Sequence, residues 1–99
     1  MPKPPAPSLT AFHASVTGHV QGVGFRWQAI NEAQRIGGIT GWVRNCEDGS
    51  VEVWAEGKKP ALERFIAWLE AGPGYGRVDN VHYTWCEASG KLKSFGVRY

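Results

Sequence analysis

The hydrophobic pattern changes its period several times along the chain, and each change marks an element. Apolar and polar residues alternate over 12–17 and again over 51–56, which predicts two strands with one buried face each. Further strands are predicted over 39–45, around 81–85 and over 95–99, at the end of the chain. Together these five stretches supply enough strands for one sheet.

Two helices are predicted between these strands. The first begins near Phe25, carries small and apolar residues on one side, and ends at Gly37-Gly38. The second begins near Pro60, because proline fits the first turn of a helix. Its apolar residues recur at i, i+3, i+4 and i+7 over 62–69, before a stop at 72–74.

The element order is therefore β-α-β-β-α-β plus a short C-terminal strand. Two helices and one sheet bury their apolar faces most simply as two layers, so we predict an α+β, ferredoxin-like two-layer sandwich. We assign residues 9–99 to this single domain. Residues 1–8 read MPKPPAPS, and their four prolines predict a disordered, proline-rich tail.

Charge, apolar content and cysteine spacing limit the kinds of ligand and compartment that we expect for this protein. A net charge of +2 over 99 residues, with the basic residues scattered, suits a small anionic substrate and not a nucleic-acid surface. No stretch approaches the roughly 20 apolar residues of a membrane span. Cys46 and Cys86 lack zinc-ligand spacing, so we interpret them as free thiols in a reducing compartment and expect a cytoplasmic protein.

The segment between the first strand and the first helix carries the candidate chemistry. Three glycines lie within residues 18–24, and Arg26 follows at the helix start. Amide groups at a helix start have no intrahelical partner, and glycines let the backbone curl around an anion. The segment lacks a Walker A ending and a dinucleotide-binding context. A plain glycine-rich turn beside a solvent-facing arginine is the alternative.

Asn45 ends the second predicted strand. In a split β-α-β arrangement the first and second strands run in the same direction, so their ends share one edge of the sheet. Asn45 is therefore expected near Arg26. If the loop binds a phosphate, the Asn45 amide could orient a water toward its phosphorus atom. An asparagine that only opens the following turn is the alternative.

Two segments carry a family resemblance. Residues 18–26, GHVQGVGFR, resemble the acylphosphatase pattern GxVQGVxFR, and residues 41–52, GWVRNCEDGSVE, resemble that family's pattern GWVxNxxDGxVE. The resemblance implies hydrolysis of the carboxyl-phosphate anhydride of acyl phosphates, with no metal and no organic cofactor. It gives Arg26 the phosphate-binding role and Asn45 the water-orienting role. It assigns the phosphate cradle to Val20, Gln21, Gly22, Val23, Gly24, Phe25 and Arg26.

Other features bear on the mechanism and on alternatives. Neither motif contains an acid or a histidine placed as a general base, and we interpret His19 as a solvent-facing residue. Vertebrate members of the family that this chain resembles often carry threonine at the positions of Cys46 and Ser50. The alternative functions are a phosphate- or acyl-phosphate-binding module without turnover, and an RNA-binding domain that uses some of the five tryptophans. We expect a monomer that binds no nucleic acid and no membrane.

Overall fold

The computed structural model describes residues 9–72, 74 and 76–99 and shows two helices on one side of a five-stranded sheet. The elements are β1 (Thr10–His19), α1 (Phe25–Ile36), β2 (Thr40–Asn45), β3 (Val51–Gly57), α2 (Lys59–Ala71), β4 (Arg77–Glu87) and β5 (Phe95–Val97). The predicted element order and the ferredoxin-like α+β class are confirmed. The proline-rich segment 1–8 lies outside the described residues.

The sheet has the strand order β4-β1-β3-β2-β5. β3 is antiparallel to both β1 and β2, so β1 and β2 run in the same direction. β5 is parallel to β2. The C-terminal ends of three strands therefore lie at one edge of the sheet, and this edge is where polar groups from distant parts of the chain meet.

The core lies between the helices and the sheet. Phe12 of β1 contacts Phe65 of α2, with 6.1 Å between ring centroids, and Phe65 also contacts Phe95 of β5. At the outer strand β4, Tyr83 and Trp85 keep part of their surface exposed although they face the same side as Phe12. The alternation in β4 correctly placed Tyr83 and Trp85 on the same face of the sheet. They stay partly exposed because α2 covers only part of this edge strand.

Both helices end as their sequences predict. α1 begins directly after Gly24 and is followed by Gly37, whose positive φ of 83° suits a residue without Cβ. α2 carries Pro60 in its first turn and is capped by Gly72. In the part of the chain that the structure describes, no helix is long and apolar enough to cross a membrane.

The strands β4 and β5 lie at opposite edges of the sheet, so the segment between them crosses the sheet, and its hydrogen bonds to Glu56 place it on the side away from the helices. Glu56 of β3 holds this segment. It accepts hydrogen bonds from the Ser89 hydroxyl at 2.8 Å, the Gly90 N–H at 3.0 Å and the Trp54 indole N–H at 2.7 Å. Glu56 is only 2% exposed, so an acid that the alternation places opposite the core is nonetheless covered.

Glu56 makes stability depend on pH. Burial by itself would raise the pKa of Glu56, but hydrogen bonds from Trp54, Ser89 and Gly90 outweigh burial and hold this pKa below its ordinary value. A carboxyl whose pKa is lower in the folded state stabilises the fold above its unfolded pKa. That contribution is lost as the pH falls through the folded value.

Replacing Glu56→Gln should lower the free energy of unfolding by about 1–3 kcal/mol at neutral pH, the usual cost of weakening buried hydrogen bonds. Urea unfolding of the variant and the parent, repeated at decreasing pH, should show the difference shrinking in acid. Glu63→Gln, at an exposed position on α2, is the matched control and should change little. A difference that stays constant at every pH would contradict the role of the ionised carboxylate.

Candidate functional site

The loop between β1 and α1 depends on two glycines in the left-handed region. Gly22 has a φ of 75° and Gly24 a φ of 78°. A Cβ added at either position would meet no atom within 4 Å, so the requirement is conformational and not a matter of space. These two residues curl the backbone into the start of α1.

The curled backbone leaves amide groups available. The first backbone hydrogen bond of α1 runs from the Gln28 N–H to the Gly24 carbonyl oxygen at 3.0 Å. Within the described ranges, no amide from 21 to 27 donates to a backbone carbonyl. These N–H groups lie at the positive end of the helix dipole, where an anion is stabilised.

Arg26 lies in the first turn of α1, beside these amides. Its guanidinium carbon is 5.6 Å from the ring centroid of Tyr99. Arg35, Arg44 and Arg77 each pair with a carboxylate, whereas no carboxylate among the described residues pairs with Arg26. The hydrogen-bond donors of Arg26 are therefore available to an anion, despite the unfavourable position of a cation at a helix start.

Asn45 is the last residue of β2 and pairs with Val51 across the β2–β3 hairpin. Its side-chain oxygen Oδ1 is buried and accepts no hydrogen bond from any described residue. A buried acceptor without a partner costs free energy unless another molecule donates to it. This atom is suited to accept a hydrogen bond from a bound water or substrate.

These groups line one cavity of about 200 Å³. The lining residues are Val20, Gly22, Gly24, Phe25, Arg26, Trp27, Asn45 and Val97. Arg26 and Asn45 thus lie on the same cavity, as the strand directions lead one to expect. Gln21 and Val23, the two other members of the sequence-predicted cradle, are not among the lining residues, and the Val23 side chain packs against the core.

Gln21 ties the loop to the neighbouring hairpin. Its side-chain Nε2 donates to the carbonyl oxygens of Cys46 at 2.7 Å and Ser50 at 2.8 Å. Both acceptors flank the turn that follows Asn45. The side chain of Gln21 therefore fixes the glycine-rich loop relative to Asn45, a role that the sequence motif alone did not reveal.

The turn itself is held by its backbone and by Asp48. The Ser50 hydroxyl and the Ser50 N–H both donate to Asp48 Oδ1, at 2.6 Å and 2.9 Å, and they keep the pKa of Asp48 below its ordinary value. The Cys46 N–H donates to the Ser50 carbonyl at 2.9 Å. Ser50 therefore directs its hydroxyl to Asp48, and the main chain of Cys46 supports the turn whatever its side chain.

Three apolar residues near the cavity were not predicted as site residues. Trp27 and Val97 line it, and the Tyr99 ring lies against Arg26. The parallel pairing of β5 with β2 brings Val97 to the cavity, and no short-range sequence pattern specifies this pairing.

His19 is exposed at the end of β1, in agreement with its interpretation as a solvent-facing residue.

Comparison with known proteins identifies relatives over nearly the whole described chain. The family model described as acylphosphatase matches residues 12–97. An acylphosphatase of Anaeromyxobacter sp. (strain Fw109-5) is 44% identical over 91 residues, which cover 92% of this chain and 97% of that protein. An acylphosphatase of Thermococcus kodakarensis is 45% identical over 85 residues, covering 86% of this chain and 91% of that one.

Solved structures of similar proteins have the same fold. The crystal structure of acylphosphatase from Bacillus subtilis superposes with a TM-score of 0.85 at 33% identity, covering 91% of this chain and 99% of that chain. Full-length HypF, in a crystal structure of its phosphate- and nucleotide-bound form, gives a TM-score of 0.86 at 26% identity. That match covers 98% of this chain but 13% of HypF, so the fold also occurs within a much longer protein.

The tether made by Gln21 can be tested through phosphate binding. Replacing Gln21→Ala removes two hydrogen bonds that fix the loop, so the amides lose their common orientation and the Kd for inorganic phosphate should rise about tenfold. Isothermal calorimetry measures this change. Gln34→Ala, at an exposed position on α1, is the matched control. Equal phosphate affinity in parent and Gln21 variant would show that the tether does not hold the anion site.

Proposed function

The chain belongs to the acylphosphatase family and hydrolyses acyl phosphates to a carboxylate and inorganic phosphate, and on this basis we propose how its residues divide the work. Arg26 and the loop amides bind the phosphoryl group. The loop consists of Val20, Gln21, Gly22, Val23, Gly24 and Phe25. Asn45 orients the water that attacks phosphorus.

One observation carries this assignment: a single cavity combines cationic donors that pair with no described carboxylate and a buried acceptor that has no partner among the described residues. Arg26 supplies the donors and Asn45 Oδ1 supplies the acceptor. A phosphoryl group needs donors on its oxygens, whereas an attacking water needs an acceptor for one of its hydrogens. Arg26 on α1 meets the first requirement, and Asn45 at the end of β2 meets the second.

The proposed mechanism relies on positioning and charge. Phosphoryl transfer places negative charge on the equatorial oxygens, and Arg26 with the loop amides stabilises that charge. Asn45 Oδ1 accepts a hydrogen bond from the water and holds it in line with the breaking P–O bond. The leaving group is a carboxylate, so it departs without a proton, and a phosphate oxygen takes the proton of the water. No acid or histidine is among the described residues that line the cavity.

A module that binds acyl phosphate without turnover is the alternative for the same site. Family membership favours the enzyme, and a turnover assay distinguishes the two. For RNA binding, the side of the sheet opposite the helices carries Trp42 and Trp54. Arg98 lies over Trp42 at 4.8 Å, and Trp54 donates to Glu56, so both rings already have partners within the chain. We therefore propose that the protein binds no nucleic acid.

We further propose a monomeric, cytoplasmic enzyme in which residues 9–99 form the single catalytic domain. Arg26 and Asn45 meet on one cavity within a single chain, so the proposed roles require no residue from a second copy. Cys46 and Cys86 are free thiols, which suits a reducing compartment. The first strand begins at Thr10, and the family match begins at residue 12, which supports a domain without the proline-rich segment.

The two roles predict different kinetic defects with benzoyl phosphate as substrate. Arg26→Ala should lower kcat/KM by about 100- to 1000-fold, the usual cost of losing one such donor, and should weaken competitive inhibition by inorganic phosphate. Asn45→Ala should lower kcat by a comparable factor, because the water is no longer oriented, yet keep the Ki of phosphate near that of the parent. Steady-state kinetics with phosphate as competitor measures both.

Arg64→Ala and Asn31→Ala, at exposed positions on α2 and α1, are the matched controls and should retain the parent's rate. Urea unfolding should show that the Arg26 and Asn45 variants remain folded. Near-normal turnover in either variant would refute its role, and loss of phosphate inhibition in the Asn45 variant would show that Asn45 binds the phosphoryl group instead.

A further inference from the structure

Three exposed apolar side chains lie at the cavity or beside Arg26. Among the described residues, the large apolar side chains that remain exposed are Leu9, Trp27, Tyr83, Trp85, Leu92, Val97 and Tyr99. Trp27 and Val97 line the cavity, and Tyr99 lies against Arg26. Exposed apolar groups gathered beside a polar site are typical of a surface that binds an apolar ligand.

Trp27 is the most informative member of this group. It is 66% exposed although it follows Arg26 directly in the first turn of α1. Within the described part of the chain, no aromatic or cationic partner contacts its ring. Each of the other four tryptophans has one: Trp42 contacts Arg98, Trp54 contacts His13, Trp68 contacts Phe65 and Trp85 contacts Phe12. The ring of Trp27 is therefore available to a ligand.

The cavity lining combines two kinds of group. Arg26, Asn45 and the loop amides are polar, and the apolar side chains are Val20, Phe25, Trp27 and Val97. Arg26 is the only charged side chain among the described lining residues. Because Arg26 binds the phosphoryl group in the proposed function, the described lining residues offer no second cation for a charge on the acyl group.

We propose that Trp27, together with Val97, is the specificity-determining surface for the acyl group of the substrate. It selects acyl phosphates whose acyl group is uncharged, apolar and preferably flat, such as an aromatic acid, over acetyl phosphate and over acyl groups that carry a carboxylate. The acyl carbon is joined to phosphorus through one oxygen, so an acyl group whose phosphoryl end is held by Arg26 stays close to Arg26, within reach of the side chains that line the same cavity. This inference rests on the proposed function.

The test compares benzoyl phosphate, acetyl phosphate and succinyl phosphate as substrates of the parent and of Trp27→Ala. The parent should prefer benzoyl phosphate, measured by kcat/KM. In Trp27→Ala the ratio of kcat/KM for benzoyl phosphate over acetyl phosphate should fall about tenfold, mostly through KM, because the lost contact is a binding contact. Trp27→Phe, which keeps a flat ring, should retain most of the ratio.

Leu92→Ala is the matched control, because Leu92 is also exposed and apolar but lies outside the cavity. It should leave the substrate ratio unchanged. The Ki of inorganic phosphate separates this inference from the proposed function. If Trp27→Ala lowers kcat/KM equally for all three substrates and weakens phosphate inhibition, Trp27 supports the phosphate site and the specificity role is wrong. If the parent hydrolyses none of the substrates, the proposed function fails, and the inference fails with it.

Discussion

Three strands that run in the same direction make this site possible. The C-terminal ends of β1, β2 and β5 meet at one edge of the sheet because β3 is antiparallel to β1 and β2, and β5 is parallel to β2. β1 leads into the glycine-rich loop, β2 ends at Asn45, and β5 brings Val97. A small domain has little apolar material for a deep pocket. Convergence at a sheet edge gives it a polar site without opening the core.

The same convergence requires the parts to be fixed relative to one another. Gly22 and Gly24 set the curl of the loop, and Gln21 then ties that loop to the turn after Asn45. On the other side of the sheet, Glu56 holds the segment that carries the chain from β4 to β5. Two side chains far from each other thus fix the positions of the glycine-rich loop and of the last strand.

Local sequence patterns predicted the elements well, and they indicated that Arg26 and Asn45 lie close together, as they do on one cavity. The glycines before Arg26 and the strand that ends at Asn45 are local features. The common direction of the two strands in a β-α-β unit then brings Arg26 and Asn45 close together. Long-range features escaped prediction. The alternation in β3 placed Glu56 opposite the core but could not show that the Ser89-Gly90 segment covers it. Likewise, the motif assigned Gln21 to the cradle, although its side chain serves the neighbouring hairpin.

The proposed mechanism depends on binding of the phosphoryl group by Arg26 and the loop amides, beside Asn45. The most direct measurement is a titration of the ¹⁵N-labelled protein with inorganic phosphate, followed by the chemical shifts of its amide groups. We expect the largest shifts in the backbone amides of residues 22–26, with a shift in the side-chain amide of Asn45. Shifts confined to other surfaces, or no saturable shift in this loop, would contradict the proposed mechanism.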